Sequence, residues 1–118
     1  MNNRFKGIEG EEIAKKHLMD QGYSVLEHGF RCNTGEIDLI AKKGGEIYFI
    51  EVKTRWSDTF GNPLEAITPF KQKRIIKAAK LYLAKNRIDA CCHLSAIGVD
   101  MSKDEPKVEF IEDAFEIN

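Results

Sequence analysis

Apolar positions along this chain fall into two helical stripes with strand-like runs between and after them. Over residues 5–21, Ile8, Glu11, Ala14 and Leu18 recur at helical spacing, which predicts a first helix closed by Gly22. Glu11 lies on the stripe that should face inward, whereas Glu9 and Glu12 point elsewhere. Residues 23–30 predict a strand and Asn33-Thr34-Gly35 a turn. Two further strands follow, over Gly35-Glu36-Ile37-Asp38-Leu39-Ile40 and over residues 47–53. Thr68 and Pro69 open a second helix as N-cap and first helical residue, and the pattern carries it to about Asn86. Ile75, Ile76, Ala79, Tyr82 and Leu83 form its core face, while Lys73, Lys77 and Lys80 stack on another. Residues 94–99 and 108–111 predict the last two strands. The order is α-β-β-β-α-β with a short closing strand, which fits an α/β fold with a mixed central β-sheet flanked by helices.

The central hairpin carries acids in apolar company. Gly44-Gly45 suits a two-residue turn, because such turns require positive φ. With the turn centred there, facing residues have numbers summing to 89. Asp38 is then expected opposite Glu51 and Glu36 opposite Lys53, all four on one face. Opposed like charges destabilise a sheet, so a cation between Asp38 and Glu51 is the natural reason to keep both. Two hard oxygen donors favour Mg²⁺ or Mn²⁺. Lys53 places a charge-stabilising group beside them, the equipment for hydrolysing a phosphodiester. A plainer alternative stays open: acids at strand ends are often solvated, and an exposed Glu51–Lys53 pair contributes about 0–1 kcal/mol. Against it stands the nearly unbroken apolar run Ile47, Tyr48, Phe49, Ile50 and Val52, which reads as a strand buried on both faces. Charges in such surroundings are costly unless paired or metal-bound.

Asp38 followed by Glu51-Val52-Lys53 resembles the Asp…(Asp/Glu)-x-Lys signature of the PD-(D/E)XK nuclease superfamily. The fuller pattern adds Gly10-Glu11, Gly35-Glu36-Ile37-Asp38-Leu39-Ile40 and Phe49-Ile50-Glu51-Val52-Lys53-Thr54-Arg55. It is similar to the YraN family of small bacterial proteins, itself similar to archaeal Holliday junction resolvases, and spans about the whole chain. The resemblance implies a restriction-endonuclease-like (PD-(D/E)XK) core and a metal site of Asp38, Glu51 and the Val52 carbonyl. It also implies that Glu11 joins that site from the first helix. Glu36 would tune Lys53 or ligate a second ion. The expected substrate is DNA, branched or junction-like, and the assembly to look for is a homodimer, since two sites are needed to cut two strands. YraN-like sequences often carry Arg-x-Asp just before the strand over residues 94–99. Here His93-Leu94-Ser95 occupies that place.

Composition narrows the setting more than the chemistry. At 118 residues the chain is expected to form one endonuclease-like domain over 1–118, with 31% charged residues and a net charge of −1. No N-terminal apolar stretch suggests a signal peptide and no run reaches the ~20 residues of a membrane span. The expectation is therefore a cytoplasmic protein with no membrane partner. Charge is unevenly spread: residues 71–87 hold seven Lys/Arg and no Asp/Glu, and residues 104–116 are acid-rich. Arg55, Trp56, Lys71, Lys73, Lys77 and Lys80 are accordingly candidate nucleic-acid contacts. Lys71 sits in a first helical turn, which favours anions. A lysine-rich helix face is also ordinary solvated surface. Trp56 and Phe60 are candidates for base stacking or for packing their own loop. Three cysteines make no disulfide framework. Cys91-Cys92-His93 lacks the spacing of a structural zinc knuckle, so buried free thiols are the expectation there. Two readings of function stand side by side: a metal-dependent nuclease, and a non-catalytic nucleic-acid-binding protein on a nuclease fold. A protein–protein adaptor with a vestigial site is a third.

Overall fold

The computed structural model describes residues 3–56 and 67–116, with side chains from residue 9 onward in the first helix. Chain order is α1 (Asn3–Asp20), β1 (Ser24–Cys32), β2 (Gly35–Lys43), β3 (Glu46–Arg55), α2 (Pro69–Lys85), β4 (Cys92–Asp100) and β5 (Lys107–Ile111). The strands form one mixed sheet in the order β1-β2-β3-β4-β5. β3 and β4 run parallel, joined by the crossover that contains α2, and the other neighbours are antiparallel. Phe60, Gly61 and Pro63 lie outside the described residues, as does the Ile8 side chain.

β3 is apolar on both faces because both are covered. Ile47 and Phe49 belong to a core with Ile75, Ala78, Ala79 and Tyr82 of α2. Tyr48, Ile50 and Val52 pack with Ala14 and Leu18 of α1. Ala14 and Leu18 are fully buried, as the α1 stripe requires. The helix caps also follow the sequence: Thr68 accepts from the Lys71 amide at 3.3 Å, and Pro69 occupies the first position of α2.

The β2–β3 turn is formed by Gly44 and Gly45 with φ of 59° and 80°, the paired positive values of a tight hairpin turn. It fixes the expected register: Lys43 faces Glu46, and the pairing continues to Leu39 opposite Ile50. There the ladder stops. β2 stays with β1, pairing Ile37 with Phe30 and Glu36 with Arg31. β3 stays with β4, pairing Glu51, Val52 and Lys53 with Ala96, Ile97 and Gly98. The two strands therefore part beyond Leu39 and Ile50, opening a notch in the sheet at Asp38.

Two glycines bring the helices close to this notch. A Cβ on Gly10 would lie 2.0 Å from Thr54 Oγ1, so only glycine lets α1 sit this close to β3. A Cβ on Gly35 would lie 2.6 Å from the Arg74 carbonyl oxygen, so the same holds for α2 against β2. The Gly-Glu pairs seen in the sequence thus join a close approach to an acid: Gly10 to Glu11, and Gly35 to Glu36.

Candidate metal centre at the β2–β3 notch

Asp38 bridges the notch with its side chain. Its Oδ2 accepts a hydrogen bond from the Val52 amide at 2.8 Å, taking up a backbone donor left over where the ladder ends. Burial pushes the Asp38 carboxyl above its ordinary value, and the Val52 amide only partly opposes this. Glu51 is more strained electrostatically. Its side chain is 13% exposed, and burial together with the Asp38 charge raises its pKa to about 7. Two carboxylates are held where neither is well solvated, a donor set of hard oxygens that a divalent cation would satisfy.

Lys53 lies 3.3 Å from Glu51 and is 19% exposed. Burial works against its charge, but hydrogen bonding to Lys71 and the nearby Glu51 and Asp38 carboxylates more than offset that, and its pKa rises. Lys71 moves the other way. Its hydrogen bond with Lys53, then partial burial and the Lys53 charge, lower its pKa. Of the two adjacent amines, Lys53 keeps its proton more firmly, with Lys71 as its hydrogen-bond partner and Glu51 at 3.3 Å.

A cleft of about 270 Å³ opens over these groups, lined by Glu36, Asp38, Glu51, Lys71, Arg74 and Ile75. Lys71, Arg74 and Ile75 are three and four residues apart, hence one face of α2. Arg74 was not singled out from the sequence; its i+3 relation to Lys71 was the available signal. His28 was missed as well. It sits on β1, 3.3 Å from Glu11 and 3.8 Å from Glu12. Glu11 is partly buried, and its pKa is raised by burial and by Asp38 while His28 opposes the rise. α1 therefore brings Glu11 within electrostatic reach of Asp38, with a histidine partner that nothing in the spacing announced.

Several expected placements change. Asp38 is not a ladder partner of Glu51, and Glu36 does not face Lys53, because the ladder ends at Leu39 and Ile50; Glu36 pairs with Arg31 across β1–β2 at 3.3 Å. It still lines the cleft. Arg55 forms an ion pair with Asp100 on β4, its ladder partner, and Asp100 also accepts from Ser102. Those contacts hold the Asp100 carboxyl well below the usual range. Trp56 directly follows β3 and is partly buried. Lys73, Lys77 and Lys80 are exposed on α2, apart from the cleft-lining face. The cysteines are not buried thiols: Cys91 is exposed, and Cys32 and Cys92 are partly exposed, with 91 and 92 standing at the end of the sheet where the interior strand β4 begins. Among the described residues no helix is long and apolar enough to cross a membrane.

The notch gathers the segments that the sequence pattern singled out, and related chains match this one over nearly their full length. A protein from Geobacter metallireducens is 44% identical over 118 residues, covering 99% of this chain and 97% of that one. One from Clostridium perfringens is 46% identical, covering 98% and 97%. One from Geotalea uraniireducens is 41% identical, covering 98% and 93%. Each is described only as a UPF0102 protein, and the model of the uncharacterised protein family UPF0102 matches residues 10–98, nearly the whole span from Glu11 to the end of the sheet's core. The chain belongs to the UPF0102 (YraN) family.

Proposed function

We propose that this protein is a metal-dependent nuclease with a PD-(D/E)XK core that hydrolyses DNA phosphodiester bonds, with branched or junction-like duplex as its substrate class. The observation that carries the proposal is the pairing of Asp38 and Glu51 in poorly solvated positions, with Lys53 3.3 Å from Glu51. A cluster of like charge at that depth is unfavourable for the empty protein and favourable around a cation.

Asp38 and Glu51 would hold Mg²⁺ or Mn²⁺ with the Val52 carbonyl, and Glu11 would contribute to a second ion. A bound divalent cation supplies an activated water and neutralises charge on the phosphoryl oxygens. The chain's own groups do the rest. Asp38, fixed by the Val52 amide, orients the ligand set. Lys53, which retains its proton, offsets charge developing on the phosphate and is better suited to that than to acting as a base. Lys71 and Arg74 line the cleft from α2 and approach the strand's phosphates. Arg55, occupied by Asp100, is assigned a structural part. Two sites in a homodimer would cut two strands.

The test is cleavage of labelled single-stranded, duplex, flap and four-way-junction DNA with Mg²⁺ or Mn²⁺, wild type against Glu51→Ala. Metal-dependent products from the wild type alone are expected. The exposed Lys73, Lys77 and Lys80 favour a second reading, non-catalytic nucleic-acid binding. That reading takes over if the pure protein binds these DNAs with an ordinary salt slope yet cuts none of them.

A further inference from the structure

A second cluster of metal-ligating side chains stands at the other end of β3, and it is independent of the nuclease reading. Glu46 opens β3, Cys91 immediately precedes β4 and His93 is its second residue, and Glu112 and Asp113 follow β5. Glu46 and Glu51 are five residues apart on one strand, about 17 Å at the usual rise. One ligand atom each from Glu46, Cys91 and His93 lies within 4.8 Å of the others, and so does one each from His93, Glu112 and Asp113.

The histidine is held as a ligand would be. His93 Nδ1 is 2.7 Å from Asp113 Oδ1, while Nε2 points at Glu46 Oε1 at 2.8 Å and lies 3.9 Å from Glu112 Oε1. A carboxylate on one ring nitrogen, with the other turned to further ligands, is the arrangement that orients metal-bound histidines. Tyr48 stacks on the ring with centroids 4.5 Å apart, and its hydroxyl donates to Glu112 at 3.1 Å. The backbone carrying the acids is tied down as well: Ala114 N donates to the Leu94 carbonyl at 2.8 Å, and Ser95 Oγ donates to the Glu112 carbonyl. Bonds of about 2.0–2.3 Å to N, O and S place tetrahedral neighbours about 3.3–3.8 Å apart. His93 Nε2 has Glu46 at 2.8 Å and Glu112 at 3.9 Å, which bracket that range, and rotation of the exposed Cys91 and Glu112 side chains toward each other would complete the site.

We infer that Cys91, His93, Glu46 and Glu112 form a binding site for a borderline-soft divalent metal such as Zn²⁺, with Asp113 orienting His93. One thiolate and one imidazole distinguish this donor set from the all-oxygen notch at Asp38 and Glu51. A bound ion would clasp the segment after β5 to the first residues of β3 and β4.

Co²⁺ titration of the full-length, reduced protein tests this. The wild type should take up one equivalent with a thiolate-to-cobalt charge-transfer band, which Zn²⁺ then abolishes by displacement. Cys91→Ser should lose the band, and Asp113→Asn should weaken binding about 10–100-fold. Glu51→Ala should retain the band, which separates this site from the notch. Zn²⁺ should also slow alkylation of Cys91 in the unmodified chain, a readout that needs no variant. An unchanged band in Cys91→Ser, or no band and no protection of Cys91 in the wild type, overturns the inference.

Discussion

Replacing Glu51 by glutamine should stabilise the metal-free protein at alkaline pH, although it removes a charge that contacts Lys53. The carboxyl rises from an ordinary 4.5 to about 7 in the fold. The proton is therefore bound more tightly by the folded chain than by the unfolded one. Stability from that preference is complete below pH 4.5 and is lost as the pH climbs through 7. At 1.36 kcal/mol for each pKa unit, the step from 4.5 to about 7 amounts to about 3 kcal/mol. The Lys53 contact is already part of that net value. Glutamine has nearly the same shape and never ionises, so it escapes the loss. Wild type and Glu51→Gln should melt within a degree or two of each other at pH 5. At pH 8.5 the variant should melt about 5–10 °C higher, a range that discounts the full 3 kcal/mol for relaxation around the ionised group. Adding Mn²⁺ should reverse the order by stabilising only the wild type, since a ligand that binds the folded state alone raises its stability. Thermal melts across pH 5–8.5, in chelator and in Mn²⁺, supply the data. A lower melting temperature for Glu51→Gln at pH 8.5 in chelator, or a difference that does not vary with pH, would refute the electrostatics of the buried acid pair.

Lys53→Ala should leave Mn²⁺ binding by calorimetry nearly intact while slowing cleavage about a hundredfold or more, the scale of losing one preorganised charge. Neutralising Lys73, Lys77 and Lys80 together should instead lower DNA affinity and flatten its salt dependence, with cleavage at saturating DNA unchanged, as filter binding over a salt series would record. Arg55→Ala should lower the melting temperature and shift the DNA salt slope by less than one phosphate contact, because Asp100 already holds the guanidinium. Gly10→Ala should cost about 1–3 kcal/mol in urea unfolding by forcing a Cβ into Thr54. The second change Thr54→Ala should recover most of that cost, because the nearest clashing atom is a side-chain oxygen.

Element order, helix caps and the β2–β3 register were legible in the chain because each depends on local rules. Gly44-Gly45 dictates the turn, and the turn dictates which residues face each other as far as Leu39 and Ile50. Where that pairing ends was not legible. It depends on β1 holding β2 and β4 holding β3, a competition among strands distant in sequence. For this reason the turn-derived pairs Asp38–Glu51 and Glu36–Lys53 do not form in the ladder, and Glu36 lies with Arg31 instead. The partner of Arg55 was equally hidden, since Asp100 is 45 residues away and only the parallel crossover brings the two side by side. His93 gave no hint of its acids: Glu46 and Asp113 lie 47 and 20 residues from it. Adjacent cysteines looked unlike a metal motif because ligand spacing in sequence measures loops, whereas this cluster is assembled from three strand ends.

The divergence of β2 from β3 also explains why the acids stand where they do. Inside a continuous ladder, the Val52 amide would face a strand backbone and Asp38 would have no room to reach it. Where the strands part, the amide needs an acceptor and a gap opens for a side chain. Asp38 fills that need with one carboxylate oxygen and has the other left to offer. The same gap gives Glu51 a cleft to line, with Lys71, Arg74 and Ile75 of α2 beside it, and burial leaves the carboxylate poorly solvated. Closing the notch is therefore a different perturbation from removing a ligand. Asp38→Asn retains an oxygen for the Val52 amide and should keep the notch open with metal affinity reduced. Asp38→Ala should lose both the acceptor and the ligand. Hydrogen exchange at Val52 in chelator distinguishes them, with protection largely kept in Asp38→Asn and lost in Asp38→Ala. Equal protection of Val52 in the two variants would mean that the carboxylate does not hold the strands at this spacing.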